Sequence, residues 1–288
     1  MKSSNSLSEK KFAIYGLGLT GRSVLKFFKK TKVKKIYQWD DSKKIKNNIS
    51  FDNFSKALTE VDYIIISPGI DIKKSKFKSI LFKKKNKIIT DLDLFYMKKI
   101  NNCKSIVITG TNGKSTTCKL IEHVLKKSKK NVCLGGNIGK PILNLNIKKN
   151  SIAVIETSSF QLAYSKFIKP SYAAIINISK DHLDWHFTMA NYRNSKFKIF
   201  SNQTKNNYAF LNKKKLITFF KKKKFRSKLK IIKLSSYNKL KKNITNAYLL
   251  SKTNEENVLF AFSILTTLGI KKKFILKSNN SFRGLPHR

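Results

Sequence analysis

The sequence predicts an α/β chain built on mainly parallel sheets. Three observations carry the prediction: short apolar runs alternating with amphipathic stretches, a GLGLTG turn at residues 16–21 after the first run, and a GKS turn at residues 113–115 after a later one. Such alternation argues for βαβ units. A glycine turn between strand and helix is where backbone N–H groups and the helix dipole favour phosphate. The 288 residues suffice for two domains at roughly 100–200 residues each.

Taken in order, residues 12–15 read as a strand, 22–29 as a helix, 35–39 and 63–66 as further strands, and 87–89 as a fourth. The first domain closes near Lys99, so 1–99 and 100–284 are the expected domains. A second set of alternations starts at Ser105, with a strand at 106–108. From Ser115 onward, Leu120, Ile121, Val124 and Leu125 share one helical face. Residues 131–134 are strand-like and run into GGNIG at 135–139. The continuous apolar runs 152–155 and 173–176 suit strands covered on both faces. Residues 258–268 form a helix that Gly269 stops.

Charge invites a nucleic-acid reading, because the net charge is +47. Only five of the 62 basic residues are arginine, however, and arginine is the favoured bidentate reader of bases and phosphates. The lysines spread along the whole chain together with Asn and Ile, as a general residue-usage bias would leave them. Specific nucleic-acid binding is therefore not expected, and the run 221–224 reads as a solvated loop. No apolar run approaches the ~20 residues that cross a bilayer, and Gly16, Gly18 and Gly21 interrupt the first apolar stretch. A cytoplasmic protein is expected. Cys103, Cys118 and Cys133 lack CxxC spacing and read as reduced, buried thiols.

The first glycine turn matches G-x-G-x-x-G, with Asp40 where a ribose-binding acid belongs. Spacing alone gives a nucleotide-diphosphate site and leaves NAD, FAD and UDP-sugars open. The second turn is sharper. In GTNGKST, residues 110–116, successive N–H groups would wrap phosphates, Lys114 would neutralise β/γ charge and a hydroxyl would hold magnesium. A strict Walker motif would place glycine at 108, where this chain has isoleucine. Beyond other strand ends lie Asn137, Glu156, Asp181 and His182, the edge where open α/β sheets bind ligands. A carboxylate there suits Mg²⁺, whereas His182 is less apt, since Mg²⁺ prefers oxygen. His123 reads as structural, and His186 receives no role.

GTNGKST, GGNIG, ETSSFQL, NISKDHLD, YRNSKFKIF and FRGLPHR together resemble the Mur ligases. The resemblance implies a Rossmann-like first domain for the UDP part of the substrate and a central P-loop ATPase-like domain. It also implies a third, amino-acid-binding domain, of which 285–288 would be the stub. GLGLTG, SPGI at 67–70, SSFQL and GLPHR favour the step that adds D-glutamate to UDP-N-acetylmuramoyl-L-alanine. Leu19, Thr20, Asp40, Ser67, Pro68 and Gly69 would then border the UDP-sugar, with Asn137 and Ser158 on the substrate side of the reaction centre. Gly110, Thr111, Asn112, Gly113, Lys114, Ser115 and Thr116 would bind ATP phosphates, Asn254 and Asn257 would lie near adenine, and Arg288 would join the nucleotide site.

Two Mg²⁺ ions are implied, one on Ser115 and Glu156, the other on His182 and a carbamylated Lys196; Lys114, Glu156, His182 and Lys196 would be the catalytic set. Carbamylation requires a neutral amine, so Lys196 should have its pKa lowered by burial or a nearby positive charge. The family's Gly-x-His-Asn stretch reads Ser251-Lys-Thr-Asn254 here. A monomer is expected. The alternatives are another Mur step, or a fragment that binds ATP and UDP-sugar without turnover.

Overall fold

A computed structural model describes residues 7–42, 49–100 and 103–285, which leaves Arg288 outside the described residues. The chain divides into two compact units. One comprises Met1–Lys99, Pro141–Asn144 and Ala163–Phe167; the other comprises Ile100–Lys140, Leu145–Leu162 and Ile168–Arg288.

The first unit carries a four-stranded sheet in the order β2-β1-β3-β4, with β1 at Lys11–Tyr15, β2 at Lys35–Trp39, β3 at Tyr63–Ile66 and β4 at Ile88–Ile89. All pairings are parallel. β1 is central because Phe12, Ala13, Ile14 and Tyr15 are wholly buried, which suits a strand covered on both faces. The helix Leu19–Lys30 starts earlier than the predicted residue 22, because Gly18 is extended and caps it. It buries Val24, Phe27 and Phe28, while Lys29 and Lys30 complement its C-terminal dipole. The helix Phe51–Glu60 is capped by the Ser50 hydroxyl, which accepts from the Asn53 N–H, and buries Phe54, Ala57 and Leu58. Residues 163–167 belong to this unit through buried Asp93, whose Oδ1 accepts the N–H groups of Lys166 and Phe167 at 2.8 and 2.7 Å.

The second unit holds a six-stranded sheet in the order β10-β9-β8-β5-β7-β6, again parallel throughout. The strands are β5 Lys104–Thr109, β6 Val132–Gly136, β7 Ile152–Glu156, β8 Tyr172–Ile175, β9 Tyr208–Leu211 and β10 Lys228–Ile231. β5 lies between β7 and β8, so chain order reverses around it. That is the topological switch point at which open α/β sheets place ligands. The predicted helical face is confirmed in the helix Lys114–Lys127, where Leu120, Ile121, Val124 and Leu125 are fully buried. The predicted helix near residue 258 runs over Glu255–Thr267, and Gly269 follows with φ +97°.

Three expectations are corrected. β9 and β10 were not read from the sequence; β9 is only four residues long, and β10 is an edge strand (KLKI) whose lysines discourage further pairing. Of the lysines at 221–224, the first two close the helix Lys214–Lys222 and only the last two lie beyond it, although all four are exposed. The three thiols are free, but only Cys118 is buried; Cys103 and Cys133 are half-buried. Among the described residues no helix is long and apolar enough to cross a membrane.

Candidate active site

In the first unit the glycine turn is shaped by contacts that exclude side chains. A β-carbon on Gly21 would lie 2.0 Å from the Gly16 carbonyl oxygen, so only glycine lets helix and turn approach this closely. Gly16 adopts φ +95°, and its carbonyl accepts the Ser67 hydroxyl at 2.7 Å. Asp40 lies at this strand edge, but both its oxygens are engaged by backbone, Oδ2 by the Leu17 N–H at 2.6 Å and Oδ1 by the Ser42 N–H at 2.8 Å. Its visible role is to fix the turn. Leu19 is exposed, Thr20 and Pro68 are half-exposed, and Gly69 is open on its β-carbon side.

In the second unit β5 ends at Thr109, and residues 110–113 turn directly into the helix Lys114–Lys127. Gly113 has φ +80°, and a β-carbon there would meet Asn257 Oδ1 at 2.0 Å. Lys114 folds back over the loop, its Nζ donating to the carbonyls of Gly110 at 3.0 Å and Thr111 at 2.7 Å. Thr116 is buried in the first turn.

Glu156 organises the opposite wall. It is 2 % exposed; its Oε2 accepts the Ser115 hydroxyl at 2.8 Å and its Oε1 the Asn137 Nδ2 at 3.0 Å. Its main-chain carbonyl accepts the Asn137 N–H at 2.9 Å. The GGNIG turn is glycine-rich for this reason, since a β-carbon on Gly136 would lie 2.3 Å from that same carbonyl oxygen. Among the described residues no lysine, arginine or histidine forms an ion pair with Glu156. A buried carboxylate in that state favours an added cation. With the Ser115 hydroxyl it forms the hard oxygen donor set that Mg²⁺ takes, so the residues fit that ion.

Lys196 is 2 % exposed. Its Nζ donates to the Gly110 carbonyl at 2.8 Å and lies 4.6 Å from the centre of the Tyr192 ring. Burial, reinforced by the Lys114 charge and opposed by Asp181, lowers its pKa from 10.5 to about 7. Between those values the unfolded chain binds a proton that the folded chain does not, so this residue's contribution to stability rises with pH from about 7 to 10.5. Lys196→Met should therefore be more stable than the parent by a few kcal/mol at pH 7 in CO₂-free buffer, with the gap shrinking towards pH 10. Denaturant melts at several pH values would check this, and a gap independent of pH would refute the buried, depressed ammonium.

The other residues sort plainly. His182 sits at φ +50°, with its ring 4.8 Å from Phe160 and its Nδ1 3.4 Å from Asp181. It shares the Tyr192 ring with Lys196, at a centroid distance of 6.3 Å. Among the described residues no group of three or more His, Cys, Asp or Glu could hold a metal ion. Ser158 acts locally: its hydroxyl accepts the Gln161 N–H at 3.2 Å. Asn254 and Asn257 are buried and joined, Asn257 Nδ2 donating to Asn254 Oδ1 at 2.8 Å. His123 is structural as expected, against Ser278 and Ser281. His186 is buried against the Ser159 hydroxyl at 2.9 Å.

Sequence reading missed Asn177, whose Oδ1 accepts the N–H groups of Thr111 at 3.1 Å and Asn112 at 2.9 Å. It also missed Tyr192, whose hydroxyl lies 3.1 Å from that of Thr111. Asn177 stands just beyond the carboxyl end of β8, and that position was the available signal.

A glycine turn after a strand of one parallel sheet, and a lysine-bearing loop beside a buried carboxylate on another, define an α/β protein of the kind that presents ligand sites at its strand ends. Residues 108–277 match the Mur ligase middle domain, and residues 10–89 match the N-terminal domain of MurD-like Mur ligases. The chain belongs to the Mur ligase family. It is 36% identical over 287 residues to the UDP-N-acetylmuramoylalanine–D-glutamate ligase of Aquifex aeolicus, covering 96% of this chain and 66% of that protein. To the enzyme of the same name from Rickettsia felis it is 33% identical over 312 residues, covering 99% and 68%. The chain thus spans about two thirds of the length of these relatives.

Solved structures agree on fold. The UDP-N-acetylmuramate:L-alanyl-γ-D-glutamyl-meso-diaminopimelate ligase of Neisseria meningitides superposes with TM-score 0.63 at 13% identity, covering 96% of this chain and 99% of that one. The UDP-N-acetylmuramate–alanine ligase of Thermotoga maritima gives 0.53 at 18% identity, covering 96% and 69%.

Proposed function

We propose that this chain carries the UDP-substrate-binding and ATP-binding parts of a cytoplasmic ligase that joins D-glutamate to UDP-N-acetylmuramoyl-L-alanine, in peptidoglycan precursor synthesis. The observation that carries the reading is the buried Glu156 carboxylate, held by Ser115 and Asn137 at the mouth of the Lys114 loop. The chain's likeness to D-glutamate ligases over nearly its whole length supports the choice of step.

The chemistry is amide formation through an acyl phosphate. The L-alanyl carboxylate attacks the γ-phosphorus, the bond to the β-phosphate oxygen breaks, and ADP leaves. The D-glutamate amine then attacks the acyl carbon and loses a proton as phosphate departs. Both anions repel in the first step, so the site's main work is positioning and charge cancellation. Lys114 would exchange its two loop carbonyls for phosphate oxygens. Asn137, whose Nδ2 donates to Glu156, would orient the substrate carboxylate. Magnesium bound by Ser115 and Glu156, with a second ion on His182 and carbamylated Lys196, would supply the remaining positive charge.

A lysine with pKa about 7 is roughly half neutral at pH 7, against about three in ten thousand for an ordinary lysine. That neutral amine can attack CO₂ and shed a proton, giving the carbamate oxygen that magnesium prefers. The Gly16–Gly21 turn and Ser67 would take the UDP part, and Asn254 and Asn257 the adenine side.

Phosphate release from MgATP tests this. Release should need UDP-N-acetylmuramoyl-L-alanine and D-glutamate together. Release supported instead by UDP-N-acetylmuramate with L-alanine would assign another step and overturn the proposal.

A further inference from the structure

The first turn of the helix Glu255–Thr267 reaches the phosphate loop by two routes. One runs through Asn257, whose Oδ1 lies 3.3 Å from the Thr117 hydroxyl in the helix after the loop, a hydroxyl that donates to the Gly113 carbonyl at 2.9 Å. The other is a relay. Asn177 accepts the Thr111 and Asn112 N–H groups on its Oδ1, and its main-chain carbonyl accepts the Thr111 N–H at 3.0 Å. On its other side Asn177 Nδ2 donates to Glu256 Oε2 at 3.1 Å. Glu256 Oε1 in turn accepts Asn212 Nδ2 at 3.1 Å and Lys213 Nζ at 2.7 Å.

We propose that Asn177 and Glu256 are positioning residues that lock the Thr111–Asn112 peptide of the phosphate loop. An asparagine amide can face its neighbours either way round. If this one turned over, its NH₂ would confront two backbone donors. A carboxylate only accepts hydrogen bonds, so Glu256 takes the NH₂ and leaves the oxygen for the loop. Asn212 and Lys213, just beyond β9, occupy the other carboxylate oxygen and keep Glu256 in place. The ends of β5, β8 and β9 and the helix start are thereby tied together. Thr111 and Asn112 are held by protein, which fixes the direction of the following amides before nucleotide arrives. This inference rests on the loop being a nucleotide-phosphate site, but it can be read without nucleotide.

The test exchanges the polarity of the pair. Asn177→Asp sets two carboxylates face to face. Adding Glu256→Gln restores a donor opposite the new acid, while the amide oxygen of the introduced glutamine still accepts from Asn212 and Lys213. Hydrogen exchange at the Thr111 and Asn112 amides is measured in nucleotide-free protein, alongside MgADP affinity and the melting temperature. Asn177→Asp alone should speed exchange at both amides and weaken MgADP about tenfold. The double variant should recover slow exchange and bring affinity back to within about threefold.

Unchanged exchange in Asn177→Asp, or a double variant that exchanges no more slowly than Asn177→Asp alone, would overturn the relay. Should Asn177→Asp not fold, Glu256→Ala reads the same amides: faster exchange supports the relay and parental exchange refutes it. Parental protein with slow exchange at these amides but no MgADP uptake would leave the relay standing and remove the nucleotide assignment instead.

Discussion

Lys114→Ala should lower MgATP affinity by about a hundredfold while leaving the binding of uridine nucleotides unchanged. The side chain is aimed by the loop itself, through donations to the Gly110 and Thr111 carbonyls. Those are neutral acceptors, and triphosphate oxygens are charged ones. A hydrogen bond to a charged group is worth roughly 1.5–3 kcal/mol, and two such bonds lost, less the desolvation that the variant escapes, leave about 3 kcal/mol, or two orders of magnitude. Removing Lys114 also relieves the charge that helps to depress Lys196, so the Lys196 pKa should rise in the variant. Titration calorimetry with each nucleotide checks the pair of expectations. Equal loss for ATP and uridine nucleotides would mean a folding defect rather than a phosphate contact.

Gly136→Ala should destabilise the second unit by roughly 3 kcal/mol or more. Gly136 holds φ +106°, and the added methyl would sit 2.3 Å from the Glu156 carbonyl oxygen and 3.3 Å from its carbon. The obstacle is the backbone of β7, so no rotamer change relieves it. Relief would require β6 and β7 to part where Gly136 pairs with Glu156. At roughly 2–4 °C per kcal/mol for a unit of this size, melting should fall by about 6–12 °C. Gly139→Ala is the internal control. Its φ is +70°, but the nearest atom to the added methyl would be 3.8 Å away, so about 1 kcal/mol is expected. Equal effects from the two substitutions would contradict the close approach.

Strand positions were legible wherever continuous apolar runs met glycine turns, because a strand covered on both faces needs nothing but hydrophobic side chains. That is why 12–15, 63–66, 106–108 and 152–155 read directly. β10 failed for the opposite reason: an edge strand whose burial is partial reads as KLKI inside a lysine-rich stretch. The turn was equally plain at Gly113, which has φ +80° and hands over to the helix at Lys114. The partners of Glu156 were named from the sequence, but not that Asn137 and Ser115 would meet on its two oxygens. The suppressed ammonium of Lys196 was demanded by the resemblance, yet its cause lies in burial and in a lysine 82 positions away in sequence. Asp40 is a partial case: spacing places it at the turn, but not the N–H groups of Leu17 and Ser42 that its oxygens accept. Asn177 was invisible because an asparagine after a strand is commonplace, and only tertiary pairing with Glu256 gives it direction.

The most direct measurement is a calorimetric titration of MgATP into the folded chain, with the Glu156→Gln variant beside it. One nucleotide should bind per chain, with uptake that weakens sharply when magnesium is chelated and when the Glu156 charge is removed. Heat from neither protein, or equal magnesium-independent uptake by both, would contradict that expectation.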